Sequence, residues 1–155
     1  MRILTVRQPW AWAIIHGQKD VENRVRNIAG SYRGPIAVHA AKTTATLDDE
    51  QADFLTGIIP FGEGTDHHYP LGAIIGVVDL VSVHFSGMEC GRVPEGTCHE
   101  YNLCSEWARA YDYHLVLKDP RPLKTPIQYK GALGLRELPP DITEQIMAGV
   151  NHEHP

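Results

Sequence analysis

The run Leu71–Val83 constrains the fold more than any other part of this sequence. It is rich in valine and isoleucine, has no regular alternation of apolar and polar residues, and is broken by Asp79. Such β-branched runs are typical of a strand that is buried on both faces. The run is also shorter than the about 18 to 20 apolar residues that a membrane span needs. It therefore predicts a central strand inside a soluble domain, and no membrane partner is expected.

Shorter patterns predict few helices. Pro9 suits the first turn of a helix that runs to about His16, with Gly17 as its stop. The other predicted helices are Leu47–Ile58, Glu100–Ala110, which carries Trp107, and a terminal helix capped by Asp141.

Strands are predicted at both ends of the chain as well as in its middle. Few helices and no regular strand–helix alternation disfavour a doubly wound parallel sheet. The fold class expected is mixed α/β, mainly β: a small β-barrel flanked by short helices. One domain is expected over residues 1–155, with 140–155 as a terminal helix and tail. The remaining predicted strands, with a proline-containing loop at 120–126 between the last two, are Arg2–Val6, Val21–Arg24, Pro35–Ala40, Tyr113–Lys118 and Gly131–Leu138.

Charge is unevenly distributed along the chain. The net charge of −5 argues against a protein that binds nucleic acid regardless of sequence. Residues 1–42 nevertheless carry seven basic and two acidic residues, and residues 118–136 carry five basic residues and one acidic residue. By contrast, residues 43–117 carry two basic and twelve acidic residues. If the two basic segments meet in space, they form one positive face for a phosphate or a short strand. Scattered solvated charges are the alternative.

The densest cluster of unusual residues lies near the amino terminus. Glu22 and Arg24 share one face of an extended segment because side chains alternate, and Lys19 is close enough for the carboxylate to keep its ammonium charged. Lys19 offers a cation for phosphate, and Glu22 offers a hydrogen-bond acceptor for an amino group. Arg24 offers a planar guanidinium that can donate to a base edge or a phosphate. Trp10 or Trp12 would add a stacking surface worth about 1–3 kcal/mol per base. The alternative is a structural ion pair beside core tryptophans.

Cysteine usage favours a reducing cytoplasm, because three cysteines do not form the framework of a secreted protein. The residues Cys90, Cys98, His99 and Cys104 lack the Cys-x-x-Cys spacing of zinc knuckles, so no metal and no other cofactor is predicted. A zinc site on these four residues is the alternative to a Cys104 that packs near Trp107 as a small buried residue.

Six segments follow a family pattern in order over nearly the whole chain. They are Leu4–Ala11, Gly17–Arg24, Tyr32–Ala40, Tyr69–Leu80, Tyr113–Leu117 and Pro126–Ile127 with Lys130–Leu135. Together they resemble the ASCH domain, the activating-signal-cointegrator homology domain. The resemblance implies a PUA-like β-barrel whose cleft faces RNA or modified nucleobases. The chain departs from the common form at Arg136, where tryptophan is frequent.

By this resemblance Lys19, Glu22 and Arg24 would face the cleft near the amino end of the Trp10 helix. Some small bacterial members are amidohydrolases that act on N4-acetylcytidine, and a threonine nucleophile stands there at the position of Glu22. That mechanism does not carry over, although a carboxylate can activate water. Other prokaryotic members resemble ribonucleases, in which Lys19 would stabilise phosphate charge.

The sequence thus predicts a domain that binds RNA, single-stranded nucleic acid or a modified nucleoside in a positive cleft. One alternative is a hydrolase, either a metal-independent ribonuclease or an N4-acetylcytidine-type amidohydrolase, with Lys19 and Glu22 as its catalytic residues. Another is a protein-interaction adaptor that uses the acidic 43–117 face. The expected ligand-binding residues are Gln8, Trp10, Lys19, Glu22, Arg24, Arg33, His39 and Lys130.

Overall fold

The computed structural model describes residues 1–58, 69–86 and 103–150. Within these ranges the helices are short and strands dominate. No helix of the described ranges is long and apolar enough to cross a membrane. In chain order the elements are β1 (Arg2–Gln8), α1 (Trp10–His16), β2 (Val21–Arg24), β3 (Gly34–Thr44), α2 (Asp49–Thr56), β4 (Ala73–Phe85), β5 (Tyr113–Gln128), β6 (Leu135–Glu137) and α3 (Pro140–Gly149).

The strands form one mixed sheet in the order β2-β5-β4-β3-β1-β6. The pair β1–β3 is parallel and the other neighbours are antiparallel. A mainly β, mixed α/β fold with β4 as an inner strand is therefore confirmed. The predicted closure of the sheet into a barrel is not confirmed, because the described sheet ends at β2 and β6, which do not pair with each other. Both end strands are short, and β2 pairs only with the start of β5.

Each face of the sheet is apolar and carries one helix. Val38 packs in one cluster with Ile14 of α1, whereas its neighbour Ala37 packs in the other cluster with Ile146 of α3. Successive side chains of a strand point to opposite faces, so the two helices cover opposite sides. Both faces of β4 are largely buried from Ala73 to Leu80, as the sequence predicts, whereas Val81 and Phe85 are exposed. At Gly76 a Cβ atom would lie 2.6 Å from Ile15 Cδ1, so glycine allows α1 its close approach to the sheet.

The predicted loop at 120–126 is wrong, because β5 continues through it. Strand β2 pairs only with residues 113–116 of β5, so the rest of β5 is an edge on that side apart from an isolated bridge between Leu123 and Val150. Prolines, which lack an N–H donor, are tolerated on such edges, and Pro120, Pro122 and Pro126 all lie there.

The predicted helix 100–110 is also wrong where the structure describes it, since residues 103–110 form turns and bends but no helix. Side chains bind this backbone instead. Asn23 donates to the Trp107 carbonyl at 2.8 Å and accepts from the Arg109 N–H at 2.9 Å. Ser105 Oγ accepts from the Trp107 N–H at 3.1 Å.

Two smaller expectations near the carboxyl end are corrected. The strand predicted over Gly131–Leu138 is shorter, since β6 comprises Leu135–Glu137. Asp141 does not cap α3: the cap position is Pro139, which has no side-chain hydrogen bond to offer, and Asp141 lies in the first turn. The tail beyond residue 150 lies outside the described residues.

Candidate functional site

A cavity of about 950 Å³ opens between α1, α2, β2 and the segment 106–109. Strand β1 and residues 132–134 complete its wall. The side chains that matter to its chemistry are two tryptophans, a phenylalanine, an asparagine and eight charged residues. They are Trp10, Trp107, Phe54, Asn23, Arg7, Lys19, Arg24, Arg109, Glu22, Asp48, Glu50 and Glu106.

Lys19 forms the deepest part of this cavity. It is 4% exposed, and its Nζ donates to the Val21 carbonyl and lies 3.4 Å from Glu22 Oε2. Burial lowers the pKa of Lys19 below its usual value, although the negative charge of Glu22 opposes this shift. The carboxylate thus orients the ammonium as expected, but desolvation outweighs its electrostatic support.

Arg24 extends the ion pair into a chain of three residues, here called the floor cluster: Lys19, Glu22 and Arg24. Arg24 Nη2 lies 3.0 Å from Glu22 Oε1 and also donates to the Thr5 carbonyl at 2.9 Å. The predicted shared face of Glu22 and Arg24 therefore brings them into contact. The buried Arg24 Nε has no hydrogen-bond partner among the described residues.

Aromatic rings stand over the floor cluster. Lys19 Nζ lies 6.0 Å from the ring centroid of Trp10 and 5.7 Å from that of Trp107. The two tryptophan rings meet edge to face with centroids 6.5 Å apart, and Phe54 contacts Trp107 edge to face at 4.8 Å. Trp107 and Phe54 are site residues that sequence reasoning missed, because they come from segments far from Trp10 in the chain.

The cavity lining is balanced in charge. Its four basic side chains face four acidic ones, so the positive cleft expected from the sequence is not what these residues form. Lys19 is the most buried of these charged side chains, whereas Arg7, Arg109, Asp48, Glu50 and Glu106 are exposed. A polyanion would therefore meet charges of both signs before it reached the floor cluster.

Comparisons with known proteins agree with this architecture. The ASCH domain family model matches residues 4–132, most of the chain. The chain belongs to the ASCH domain family. The crystal structure of an ASCH protein from Zymomonas mobilis shares its fold, with 16% sequence identity, a TM-score of 0.53 and coverage of 97% of this chain and 95% of that one. A tyrosine-to-phenylalanine mutant of that protein has 17% sequence identity to this chain and a TM-score of 0.56. The match covers 97% of this chain and 98% of the mutant.

A search of curated proteins gives no match. ASCH domains have a PUA-like fold and are generally associated with RNA binding.

Two predicted ligand residues of this ASCH domain have structural contacts away from the cavity. Gln8 is buried, accepts from the Trp12 N–H at 2.9 Å and donates to the Pro70 carbonyl at 3.2 Å, so it holds the start of α1. His39 is buried in β3, and its Nε2 lies 3.0 Å from the Tyr129 carbonyl. Neither side chain lines the cavity.

The two other predicted basic residues do not line the cavity either. Arg33 donates to the carbonyls of Gly30 and Tyr32 in the turn before β3. Lys130 is exposed, two residues before the cavity-lining Ala132. Of the four basic residues among the expected ligand-binding residues, the cavity thus brings together Lys19 and Arg24.

Potential metal ligands group together elsewhere in this ASCH domain. His84, Cys104 and His114 place their ligand atoms within 4.8 Å of one another, and this is the one such group in the ranges that the structure describes. Cys104 also packs in the apolar cluster of Trp107, as expected. The residues Cys90, Cys98 and His99 lie outside the described ranges.

Proposed function

We propose that this ASCH domain binds single-stranded RNA by receiving one base, including a modified base, in the cavity above the floor cluster. The observation that carries this proposal is the combination of a polar floor with aromatic walls. Planar rings stack on aromatic side chains, and charged groups beneath them can recognise the edge of a base.

The size of the cavity supports a ligand of nucleotide size. Its volume of about 950 Å³ lies at the upper end of the about 300–1,000 Å³ that small-molecule sites occupy. A nucleobase that enters would lie beside Trp10 and Trp107, whose rings already flank the Lys19 ammonium. Stacking on such rings is tolerant of base identity, so selectivity must come from the floor.

The floor cluster offers both kinds of hydrogen-bonding group. Glu22 uses one oxygen toward Arg24 and the other toward Lys19, and each carboxylate oxygen keeps a further lone pair for an amino group. The Arg24 guanidinium, on a side chain that is 29% exposed, supplies donors. Such a site rejects a base that leaves these groups unsatisfied, because buried unpaired polar groups are costly.

The charge balance supports recognition of a base over tracking of a phosphate backbone. A groove that follows a backbone needs several cations, and the affinity then falls steeply with salt. Here the exposed charged side chains of the cavity lining are two basic and three acidic, so no run of cations follows the opening, and the net charge of the chain is −5. The proposal therefore includes an RNA affinity that depends only weakly on salt. It also includes a cytoplasmic location, where RNA and reduced cysteines occur together.

One observation favours a second function, hydrolysis of an RNA or of an acylated nucleobase. Lys19 is a buried lysine with a lowered pKa beside a carboxylate, which is an arrangement typical of catalytic sites. The neutral amine or Glu22 would take a proton from water as it attacks. Turnover of N4-acetylcytidine or single-stranded RNA without added metal, lost in Glu22→Gln while ligand affinity per folded molecule is kept, would establish this function.

Nuclear magnetic resonance titration tests the binding proposal. The unlabelled ligands are a panel of nucleosides and short single-stranded RNAs, and the readout is the indole N–H signals of the three tryptophans. Signals of Trp10 and Trp107 should shift and that of Trp12, which does not line the cavity, should move least. Salt-resistant capture of a protein with no shift by any RNA or nucleoside would favour an adaptor instead.

A further inference from the structure

We propose that His84, Cys104 and His114 bind one Zn²⁺ ion, which fastens the segment 103–112 to the end of the β4–β5 pair. The two histidines are cross-strand partners in that pair, so their side chains share one face of the sheet. Cys104 comes from the segment that returns across this face. These residues do not line the cavity, so the metal site is separate from the proposed base-binding site.

The distances suit a shared metal ion. Cys104 Sγ lies 3.2 Å from His114 Nδ1, the two imidazole ring centroids are 5.2 Å apart, and all three ligand atoms lie within 4.8 Å of one another. In a tetrahedral zinc site with Zn–N of about 2.0–2.1 Å and Zn–S of about 2.3 Å, ligand atoms are about 3.3–3.6 Å apart. The widest spacing must shorten when the metal binds, and the half-buried His84 is the ligand whose side chain would have to rotate.

The ring of His114 is oriented as a ligand requires. Its Nε2 lies 2.7 Å from the Arg109 carbonyl, which can only accept, so Nε2 carries the proton. In the neutral imidazole the lone pair is then on Nδ1, the atom that faces Cys104. Metal-bound histidines commonly donate their second N–H to a backbone carbonyl in this way, which fixes the tautomer.

The ligand set favours zinc over other common cations. Two imidazole nitrogens and one thiolate are poor ligands for Mg²⁺ and Ca²⁺, which prefer oxygen, and good ligands for Zn²⁺. On binding, the Cys104 thiol loses its proton to solvent and the thiolate bonds to the metal, with no change in oxidation state. The fourth position is open to water or to a further donor from the chain.

Zinc would explain how an irregular segment forms a wall of the cavity. Residues 103–112 contain no helix or strand, yet they carry Trp107 and Arg109 into the cavity lining. Hydrogen bonds to and from the Asn23 side chain, and one from the Ser86 N–H to the Asp112 carbonyl, hold the segment. A metal ion bonded to both the segment and the sheet would add a stronger link, because metal affinity becomes folding stability.

Metal analysis of the untagged full-length chain tests the proposal without reference to RNA. After dialysis against metal-free buffer, mass spectrometry should find about one zinc per chain, and a strong chelator should lower the melting temperature reversibly. Cys104→Ser and His84→Asn should each weaken zinc binding by more than the about 10- to 100-fold that loss of a supporting partner costs. His16→Ala, which removes a histidine outside the cluster, should leave the zinc content unchanged.

Cobalt substitution covers the case in which a variant folds poorly. Co²⁺ added to the metal-free wild-type chain should produce a thiolate-to-cobalt absorption band that competes away with Zn²⁺. Cys104→Ser, with a melting curve that shows a folded chain, should lack the band. A wild-type chain that binds neither zinc nor cobalt, or zinc that stays bound after Cys104→Ser and His84→Asn, would overturn the proposal, leaving a Cys104–His114 hydrogen bond.

Discussion

Two groups of ion pairs in this ASCH domain use the same chemistry in different surroundings. The floor cluster joins Glu22 to Lys19 and Arg24, and a second group joins Arg121 to Asp79 at 2.5 Å and to Asp119 at 3.2 Å. We call Asp79, Arg121 and Asp119 the strand cluster, since its residues lie on β4 and β5.

Burial of the central carboxylate separates the two clusters, whereas their arginines are similarly exposed, at 29% for Arg24 and 22% for Arg121. The Glu22 side chain is 11% exposed and lies in a cavity beneath aromatic rings, whereas the Asp79 side chain is 35% exposed. A buried charge depends on its partners because water cannot replace them, but an exposed pair contributes only about 0–1 kcal/mol. The strand cluster explains the one charged residue in the apolar run of β4, and the floor cluster lines the cavity that we propose as a binding site. Pairing alone therefore does not identify function; desolvation next to a cavity does.

Removing one carboxylate from each cluster should give the largest contrast. Glu22→Gln leaves Lys19 buried without its counter-charge and should lower the free energy of unfolding by about 3–5 kcal/mol. Asp79→Asn should lower it by about 1 kcal/mol or less. Urea unfolding at neutral pH measures both, and equal losses would show that burial does not distinguish the clusters.

The aromatic wall over the floor cluster sharpens the comparison. Trp10→Leu should weaken the binding of a single-stranded RNA by about 5- to 150-fold, equivalent to the about 1–3 kcal/mol of one stacked base. Phe85→Leu is the matched control, because Phe85 is an exposed aromatic residue that contacts Tyr113 outside the cavity. Affinity is compared per folded molecule by fluorescence anisotropy. A similar loss of RNA affinity in Phe85→Leu would show that Trp10 does not contribute by stacking on a base.

The pH dependence of stability distinguishes a buried lysine from an exposed one. Because the pKa of Lys19 is lowered in the folded chain, the unfolded chain holds that proton to higher pH. Between the folded value and the ordinary value near 10.5, the contribution of Lys19 to the free energy of unfolding should therefore rise with pH.

Urea unfolding between neutral pH and about pH 10 should show this rise as a growing advantage of wild type over Lys19→Met. The control variant is Lys118→Met, because Lys118 is exposed and is the cross-strand partner of Asp79. The free energy of unfolding of Lys118→Met should change with pH in the same way as that of wild type. A wild-type advantage that shrinks as the pH rises would contradict the lowered pKa.

The smallest effects are expected from the two basic residues that do not line the cavity. Arg33→Ala and Lys130→Ala should each change RNA affinity by about twofold or less, as contacts outside the centre of an interface usually do. The same titration that measures Trp10→Leu measures these variants. A loss comparable to that of Trp10→Leu would restore the single positive surface that the sequence suggests.

Local patterns predicted the amino-terminal half of the site well. The helix α1 ends before Gly17 as expected, and a Cβ atom there would lie 3.0 Å from Ala13 Cα. The strand β2 has the predicted bounds, so its alternation placed Glu22 and Arg24 together. The end of α1 and the alternation of β2 depend on residues that are close in the chain, so a local sequence pattern is enough to predict them.

The part of the site that the sequence did not predict depends on contacts between distant segments. Trp107 reaches the cavity because its backbone bonds to Asn23, and its neighbours suggested a helix that does not form. The pairing of His84 with His114 follows from the register of β4 and β5, in which β-bulges shift the alignment. Prolines concealed the length of β5, since only the topology shows that its second half is an edge.

Titration of short labelled single-stranded RNA at several salt concentrations tests the central claim, that the floor cluster holds the ligand. Lys19→Met keeps the apolar stem of the side chain and removes its charge, and Lys124→Met does the same on the exposed part of β5 outside the cavity. Loss of a hydrogen bond from a charged group should weaken binding by Lys19→Met about tenfold or more. Lys124→Met should stay close to wild type, and the salt slope should remain shallow in all three chains, because the floor cluster is proposed to contact a base and not the phosphate backbone. Unchanged affinity in folded Lys19→Met, or a steep salt slope in wild type, would contradict the account and leave the floor cluster as part of the scaffold.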